Sequence, residues 1–272
     1  MSDNTESLGI IAGSRALPLI LAQSARRAGI KRLVAVGFVG ETDPALEESV
    51  DAMVWVKVGQ LVKLIDAFRQ RQITRCVMAG QISPKRLFDL RPDFRALRLL
   101  LKLRERNART IFGAIADELQ RDGIQLVEAT PWLKSIMPAS GYRIGPKPTA
   151  AQTKDAEFGR QIAKEVSRFE IGQTVVVKNG TVLAVEAFEG TDACLERGGN
   201  LAGPKGGAAA VKVASDTHDF RFDIPCIGPR TIETCASARI NLLAFESGRT
   251  LLLEKEQVEQ LAERARITLL AL

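Results

Sequence analysis

Short apolar runs alternate with stretches of helical periodicity through the first eighty residues, and this alternation narrows the fold more than any other feature. Residues 8–12 form an apolar run that stops at Gly13-Ser14, and residues 16–28 then repeat leucine and alanine at helical spacing. Residues 31–37 and 52–56 are further runs, 59–71 an amphipathic stretch, and 74–79 a fourth run ending in Gly80-Gln81. Strands separated by helices cannot pair as hairpins, so the pattern predicts a parallel, Rossmann-like sheet. In such sheets ligands sit outside the carboxyl ends of the strands, which singles out Gly13, Ser14 and Arg15 after the first strand and Gly80 and Gln81 after the fourth. Free N–H groups at the start of the first helix would suit an anion there, unless the glycines only make turns. The GxGxxG fingerprint is missing and residues 35–38 offer no acid for a ribose, so a dinucleotide cofactor is not expected.

Basic residues crowd the next region. Arg95, Arg98, Lys102, Arg106 and Arg109 recur at spacings of three and four, with Leu97, Leu100, Leu101, Ala108 and Ile111 opposite them. This predicts one helix with a positive stripe, either a solvated face or a contact for anionic lipid headgroups. The formal net charge of +6 agrees with an anionic partner. Aromatic residues make up only 5% and do not interleave with the basic ones, which argues against nucleic acid. Prolines and glycines then punctuate residues 131–148, predicting residues 1–134 as a first domain, 135–148 as a linker and 149–272 as a second, mixed α/β domain. In the second domain Asn179-Gly180, set between two β-branched runs, predicts a hairpin.

Residues 185–225 hold the densest mixture of acids, bases and glycines. Glu186, Glu189, Asp192 and Asp223 are interrupted by Lys205, Lys212 and Arg221, with Asp219 and the single histidine, His218, between them. Carboxylates suit a hard cation and bases suit phosphate, although glycine-rich polar segments also serve as plain surface loops. Thr191 is placed to cap a helix over residues 192–197. Lys212 is either a phosphate ligand or an ion-pair partner. Asp223 is the strongest catalytic candidate because Pro225 stiffens the backbone just beyond it, and Asp219 would share its face on an extended strand. Its alternative role is to cap the next turn. No GxSxG elbow supports a serine hydrolase, and one histidine cannot build a histidine-rich dinuclear phosphoesterase. The four cysteines form no CxxC pair, as expected for thiols in a reducing cytosol. No leader-like segment or apolar run of about 20 residues appears, so neither secretion nor a membrane span is expected.

The segments GIIAGSRALP, VMAGQI, QTVVVKNGTVLAVEAFEGTDA, KGGAAAVKVAS, DFRFDIPCIGPRTIE and ESGRTLLLEKEQV together resemble the LpxI-type UDP-2,3-diacylglucosamine pyrophosphatases of lipid A biosynthesis. The resemblance runs from Leu8 to about Thr268, and EGTDA and RFDIP are its most specific parts. It implies magnesium-dependent hydrolysis, with manganese as the alternative ion, in which water attacks the uridine-side phosphorus to give UMP and 2,3-diacylglucosamine 1-phosphate, lipid X. It further implies a C-terminal domain of unusual topology, a lipid-linked sugar nucleotide held between the domains, and a homodimer. Carried over by position, Asp223 would be catalytic. Glu189, Thr191 and Asp192 fall on the EGTD motif, and Gly13, Ser14, Gly80 and Gln81 on the N-terminal motifs. Joined to the reading of the residues, this makes Asp223, Glu189 and Asp192 the candidate metal ligands and Gly13, Ser14, Arg15, Gly80, Gln81, Thr191, Lys205 and Lys212 the candidate substrate-binding residues. A cytoplasmic enzyme resting on the cytoplasmic face of the inner membrane would meet such a substrate, with the basic stripe as its contact. The alternative is a non-enzymatic nucleotide- or lipid-binding protein.

Overall fold

The computed structural model describes residues 6–82, 92–105, 108–216 and 218–272. The chain divides into two units, Met1–Leu133 together with Asp219–Asp223, and Lys134–His218 together with Ile224–Leu272. The elements of the first unit are β1 (Ser7–Ala12), α1 (Leu17–Arg27), β2 (Arg32–Phe38), β3 (Ala52–Val56), α2 (Leu61–Arg69), β4 (Arg75–Ala79), α3 (Phe94–Lys102), α4 (Ala108–Arg121), β5 (Gln125–Leu126) and α5 (Thr130–Leu133). The strands lie in the order β3-β2-β1-β4-β5, and every pairing is parallel. β1 and β2 are buried along almost their whole length, which is why they read as unbroken apolar runs. Sheet growth reverses between β1 and β4, the switch point where open α/β sheets take their ligands.

The single basic helix expected over residues 95–109 is instead two elements. Leu103 closes α3 in an extended conformation, with ψ at 125°, and α4 starts at Ala108. Arg106 lies outside the described residues, as do residues 84–91 and the Arg109 side chain. Arg95 does not belong to an outer stripe either: its guanidinium binds the carboxylates of Glu118 in α4 and Asp122 just past its end, at 2.5 Å each. The core-facing side of α3 is Ala96 and Leu99, not Leu97 and Leu101.

The second unit contains β6 (Arg143–Ile144), α6 (Ala150–Arg168), β7 (Thr174–Lys178), β8 (Thr181–Val185), α7 (Thr191–Leu201), β9 (Ala208–Lys212), β10 (Cys226–Ile227), α8 (Pro229–Ser237), β11 (Ile240–Phe245), β12 (Leu251–Leu252), α9 (Lys255–Arg264) and β13 (Thr268–Ala271). Its main sheet runs β6-β13-β11-β9-β7-β8, parallel through β13, β11 and β9 and antiparallel at both ends. β10 and β12 form a separate parallel pair. The stretch 135–148, expected as a linker, thus contributes β6 to the sheet edge, paired with β13. Two residues of strand leave no periodic signal among prolines and glycines.

Side chains alternate across this sheet. Val175, Val177, Ala209, Val211, Leu242 and Ala244 face α6. Val176, Ala208, Ala210, Leu243 and Phe245 face a core shared with residues of α7, α8 and α9. Glycine permits the close approach of helix to sheet on both sides: a Cβ on Gly159 of α6 would lie 2.7 Å from Val211, and one on Gly198 of α7 would lie 2.5 Å from Val176.

The predicted hairpin turn is present, with φ at 50° for Asn179 and 71° for Gly180. It is clamped from the helix side. The Asp155 carboxylate, only 5% exposed, accepts the N–H groups of Asn179 at 2.8 Å and Gly180 at 2.7 Å. Asp155→Ala removes both charge-assisted bonds, so we expect a loss of about 2 kcal/mol, read as a lower urea midpoint at unchanged m-value.

Candidate functional site

In the first unit, the carboxyl ends of β1 and β4 are tied to each other. Gly13 N–H donates to the Ala79 carbonyl at 2.8 Å, Ser14 N–H to the Gln81 carbonyl at 2.7 Å, and Gln81 N–H to the Ser14 carbonyl at 3.4 Å. The Ser14 hydroxyl also donates to the Gln81 carbonyl, at 2.8 Å. Packing explains both glycines here: a Cβ on Gly13 would meet the Gln81 carbonyl oxygen at 2.5 Å, and one on Gly80, whose φ is +87°, would meet the Ser14 carbonyl oxygen at 2.5 Å. The N–H groups of Gly13 and Ser14 are therefore committed to the strand-end pairing. Ala16 is the N-cap of α1 and offers no side-chain cap, and the helix has proline in its first turn.

Beside this pair lies an open concavity of about 700 Å³, lined by Arg15, Trp55 and residues 39–44. Arg15 adopts a left-handed backbone, φ 70°, as the chain turns from β1 into α1. The buried Thr42 fixes the facing loop: its hydroxyl donates to the Ala12 carbonyl at 2.5 Å and accepts the Phe38 N–H at 2.8 Å. This loop is not among the site residues expected from the sequence. Thr42, Asp43 and Pro44 are the turn-forming signal that marked it.

The segment Asp219–Asp223 also belongs to the first unit. It is a turn rather than an extended strand, with Phe222 N–H and Asp223 N–H both donating to the Asp219 carbonyl, at 3.1 and 3.4 Å. Asp219 and Asp223 therefore do not share a strand face. The Asp219 carboxylate is engaged by Arg221, at 2.7 Å, and raises that guanidinium's hold on its proton. Phe222 packs into the core of this unit and stacks on Phe112 of α4, with ring centroids 6.1 Å apart. Arg221 also feels the charges of Asp117 on α4 and Glu128 just past β5. The turn is thus seated by the carboxyl end of the edge strand β5, neighbour of β4, with the Asp223 residue exposed. The aspartate expected to be catalytic, placed by the sequence in the second domain, lies in the same unit as the glycines.

In the second unit, Gly190, with φ at 84°, is the N-cap of α7, so Thr191 is its first helical residue and not its cap. The Thr191 hydroxyl instead donates to the Glu186 carboxylate at 2.8 Å and accepts from Lys212 Nζ at 2.9 Å. A carboxylate, a hydroxyl and an ammonium are so strung in line at the ends of β8 and β9. Glu189 is bound by Arg197 at 2.6 Å, and this guanidinium holds its carboxyl below the usual carboxylate range. Asp192 is bound by Arg230 at 2.9 Å. Lys205 is exposed in the turn after α7. Among the described residues no group of three or more His, Cys, Asp or Glu is arranged to hold a metal ion. The expected ligands Glu189 and Asp192 are each taken up by an arginine, and Asp223 belongs to the other unit.

The cysteines take no part. Burial pushes the thiols of Cys76, Cys194 and Cys235 up to about 12, and none of the four forms a disulfide. Among the described residues no helix is long and apolar enough to cross a membrane.

Comparison with known proteins covers nearly the whole chain. Residues 7–136 match the family described as the LpxI N-terminal domain, and residues 139–270 match the LpxI C-terminal domain. The chain is 31% identical over 261 residues to the UDP-2,3-diacylglucosamine pyrophosphatase LpxI of Caulobacter vibrioides, spanning 92% of each protein. Among solved structures, it matches N5-carboxyaminoimidazole ribonucleotide synthetase from Thermotoga maritima at 14% identity and a TM-score of 0.25, over 68% of this chain and 42% of that one. It matches biotin carboxylase from Campylobacter jejuni at 12% identity and a TM-score of 0.28, over 72% and 42%. The chain spans about two fifths of those two proteins.

Proposed function

The chain belongs to the LpxI family, and from that premise we propose that it is a UDP-2,3-diacylglucosamine pyrophosphatase of lipid A biosynthesis. Water attacks the uridine-side phosphorus, a new P–O bond forms, and the bond from that phosphorus to the bridging oxygen breaks. UMP and 2,3-diacylglucosamine 1-phosphate leave. The observation that carries this reading is the seating of Asp223. It sits exposed on a turn anchored by Phe222, in the same unit as the strand ends where an α/β sheet takes its ligands. Asp223 takes the proton of the attacking water. Arg15 and the loop 39–44, in the same unit, take the nucleotide end.

The donor set does not form a protein cage for a cation, because Glu189 and Asp192 are ion-paired. Asp223, an exposed carboxylate, is the residue that would hold a magnesium or manganese ion. When bound, such an ion neutralises charge developing on the phosphoryl oxygens. A homodimer and peripheral attachment to a membrane belong to the same proposal.

Purified protein with UDP-2,3-diacylglucosamine and magnesium is expected to release UMP, and excess chelator to stop it. In heavy-oxygen water the label is expected in UMP. Label in the sugar phosphate refutes uridine-side attack, activity surviving chelation removes the cation, and no release leaves a nucleotide- or lipid-binding protein as the reading.

A further inference from the structure

Helix α3 carries two apolar faces, and only one of them is covered. Ala96 and Leu99 are buried in the first unit's core, while Phe94, Leu97 and Leu101, at spacings of three and four, are 80%, 44% and 70% exposed. An exposed phenylalanine and two exposed leucines on one face of a nine-residue helix form a contiguous edge, not scattered surface residues. Charge borders the edge on one side only. Arg98 and Lys102 are exposed next to it and Arg104 is exposed just past the helix end, while Glu105 is the one acid from Phe94 onward to that point. Asp93, the N-cap at the front of the helix, has its carboxylate turned onto backbone, accepting the N–H groups of Ala96 at 2.9 Å and Val62 at 2.7 Å.

We propose that α3 docks the protein on an anionic lipid bilayer, with Phe94, Leu97 and Leu101 immersed at the boundary between headgroups and acyl chains and with Arg98, Lys102 and Arg104 on lipid phosphates. Apolar residues on one face with basic ones beside them, and no acid among them, are what a helix lying in the plane of such an interface requires. The choice of an anionic bilayer follows from that charge. A protein partner would be met equally well by the apolar edge alone, whereas three exposed cations call for a negative surface. The inference rests on the functional reading above, which gives the enzyme a substrate with two acyl chains.

Vesicle sedimentation tests it with the full chain. The protein is expected to partition onto vesicles of phosphatidylglycerol and phosphatidylethanolamine, and about tenfold more weakly onto phosphatidylcholine alone. The double variant Phe94→Ser, Leu101→Ser is expected to lose about a hundredfold in partitioning. It should still release UMP from detergent-dispersed substrate at the unchanged rate. A Leu101→Trp variant gives a second readout, an emission shift to the blue on vesicles and quenching by brominated lipid. Unchanged partitioning of the double variant, a wild type that ignores anionic vesicles, or emission from the Leu101→Trp variant that is indifferent to lipid each overturns the proposal. So does a double variant that dissociates from dimer to monomer with vesicle binding intact, since the face would then be a contact between copies. Vesicle binding without UMP release from the wild type sinks the enzymatic reading and leaves the docking surface standing.

Discussion

Asp223→Ala lowers kcat for UMP release by about a thousandfold, the span expected when a positioned general base is lost, and leaves the melting temperature within about a degree. The two halves of that expectation have separate causes. Asp223 is exposed, so its carboxylate does not support the core. The fixed position comes from its neighbours: Phe222 stacked on Phe112, and the Asp219 carbonyl that accepts the Asp223 N–H. Asp223→Asn keeps size and shape and is expected to fall as far as alanine, because an amide cannot take a proton from water and offers a cation no negative charge. Either variant retaining more than a tenth of the wild-type rate removes Asp223 from the proposed chemistry.

Lys164→Met costs the second unit about 3 kcal/mol and lowers its thermal midpoint by roughly 10 °C. Lys164 on α6 donates to the Glu246 carboxylate at 2.7 Å, the Asp216 carboxylate at 2.8 Å and the Ala214 carbonyl at 2.8 Å. The Lys164 and Glu246 side chains are only 17% and 15% exposed, so methionine would leave a poorly solvated carboxylate with its lysine partner gone. Arg249, at 3.6 Å from Glu246, recovers part of that. Asp216 is 71% exposed and contributes little, although Lys164 holds its carboxyl below the usual range. The double variant Lys164→Met, Glu246→Leu is expected to regain much of the loss, since an apolar pair of similar size avoids the stranded charge. Equal destabilisation in single and double variants would refute that account.

How much of this the sequence disclosed depended on the range of each interaction. β1 and β2 were readable because strands buried on both faces are written as continuous apolar runs, and Asn179-Gly180 because a tight turn is a local matter. The pairing of Lys164 with Glu246 and the clamp of Asp155 on the hairpin were not, because each joins residues far apart in the chain. Arg95 shows a subtler failure. Its spacing to Arg98 and Lys102 is helical, yet the decisive fact is the presence of Glu118 on the next helix and Asp122 just past it, which draws it inward. Thr191 had the chemistry of a cap, but Glu186 and Lys212 compete for its hydroxyl, and Gly190 takes the cap position.

The membership of Asp219–Asp223 in the first unit also bears on how the protein is made. When a ribosome has delivered Met1–Leu133, Phe222 does not yet exist, and the side of α4 around Phe112 lacks its stacking partner. Synthesis of Lys134–His218 takes roughly 4 to 17 s at bacterial or eukaryotic speeds. Through that interval the nascent first unit waits, short of part of its core, and a gene fragment cut at the apparent boundary would encode a half that waits indefinitely.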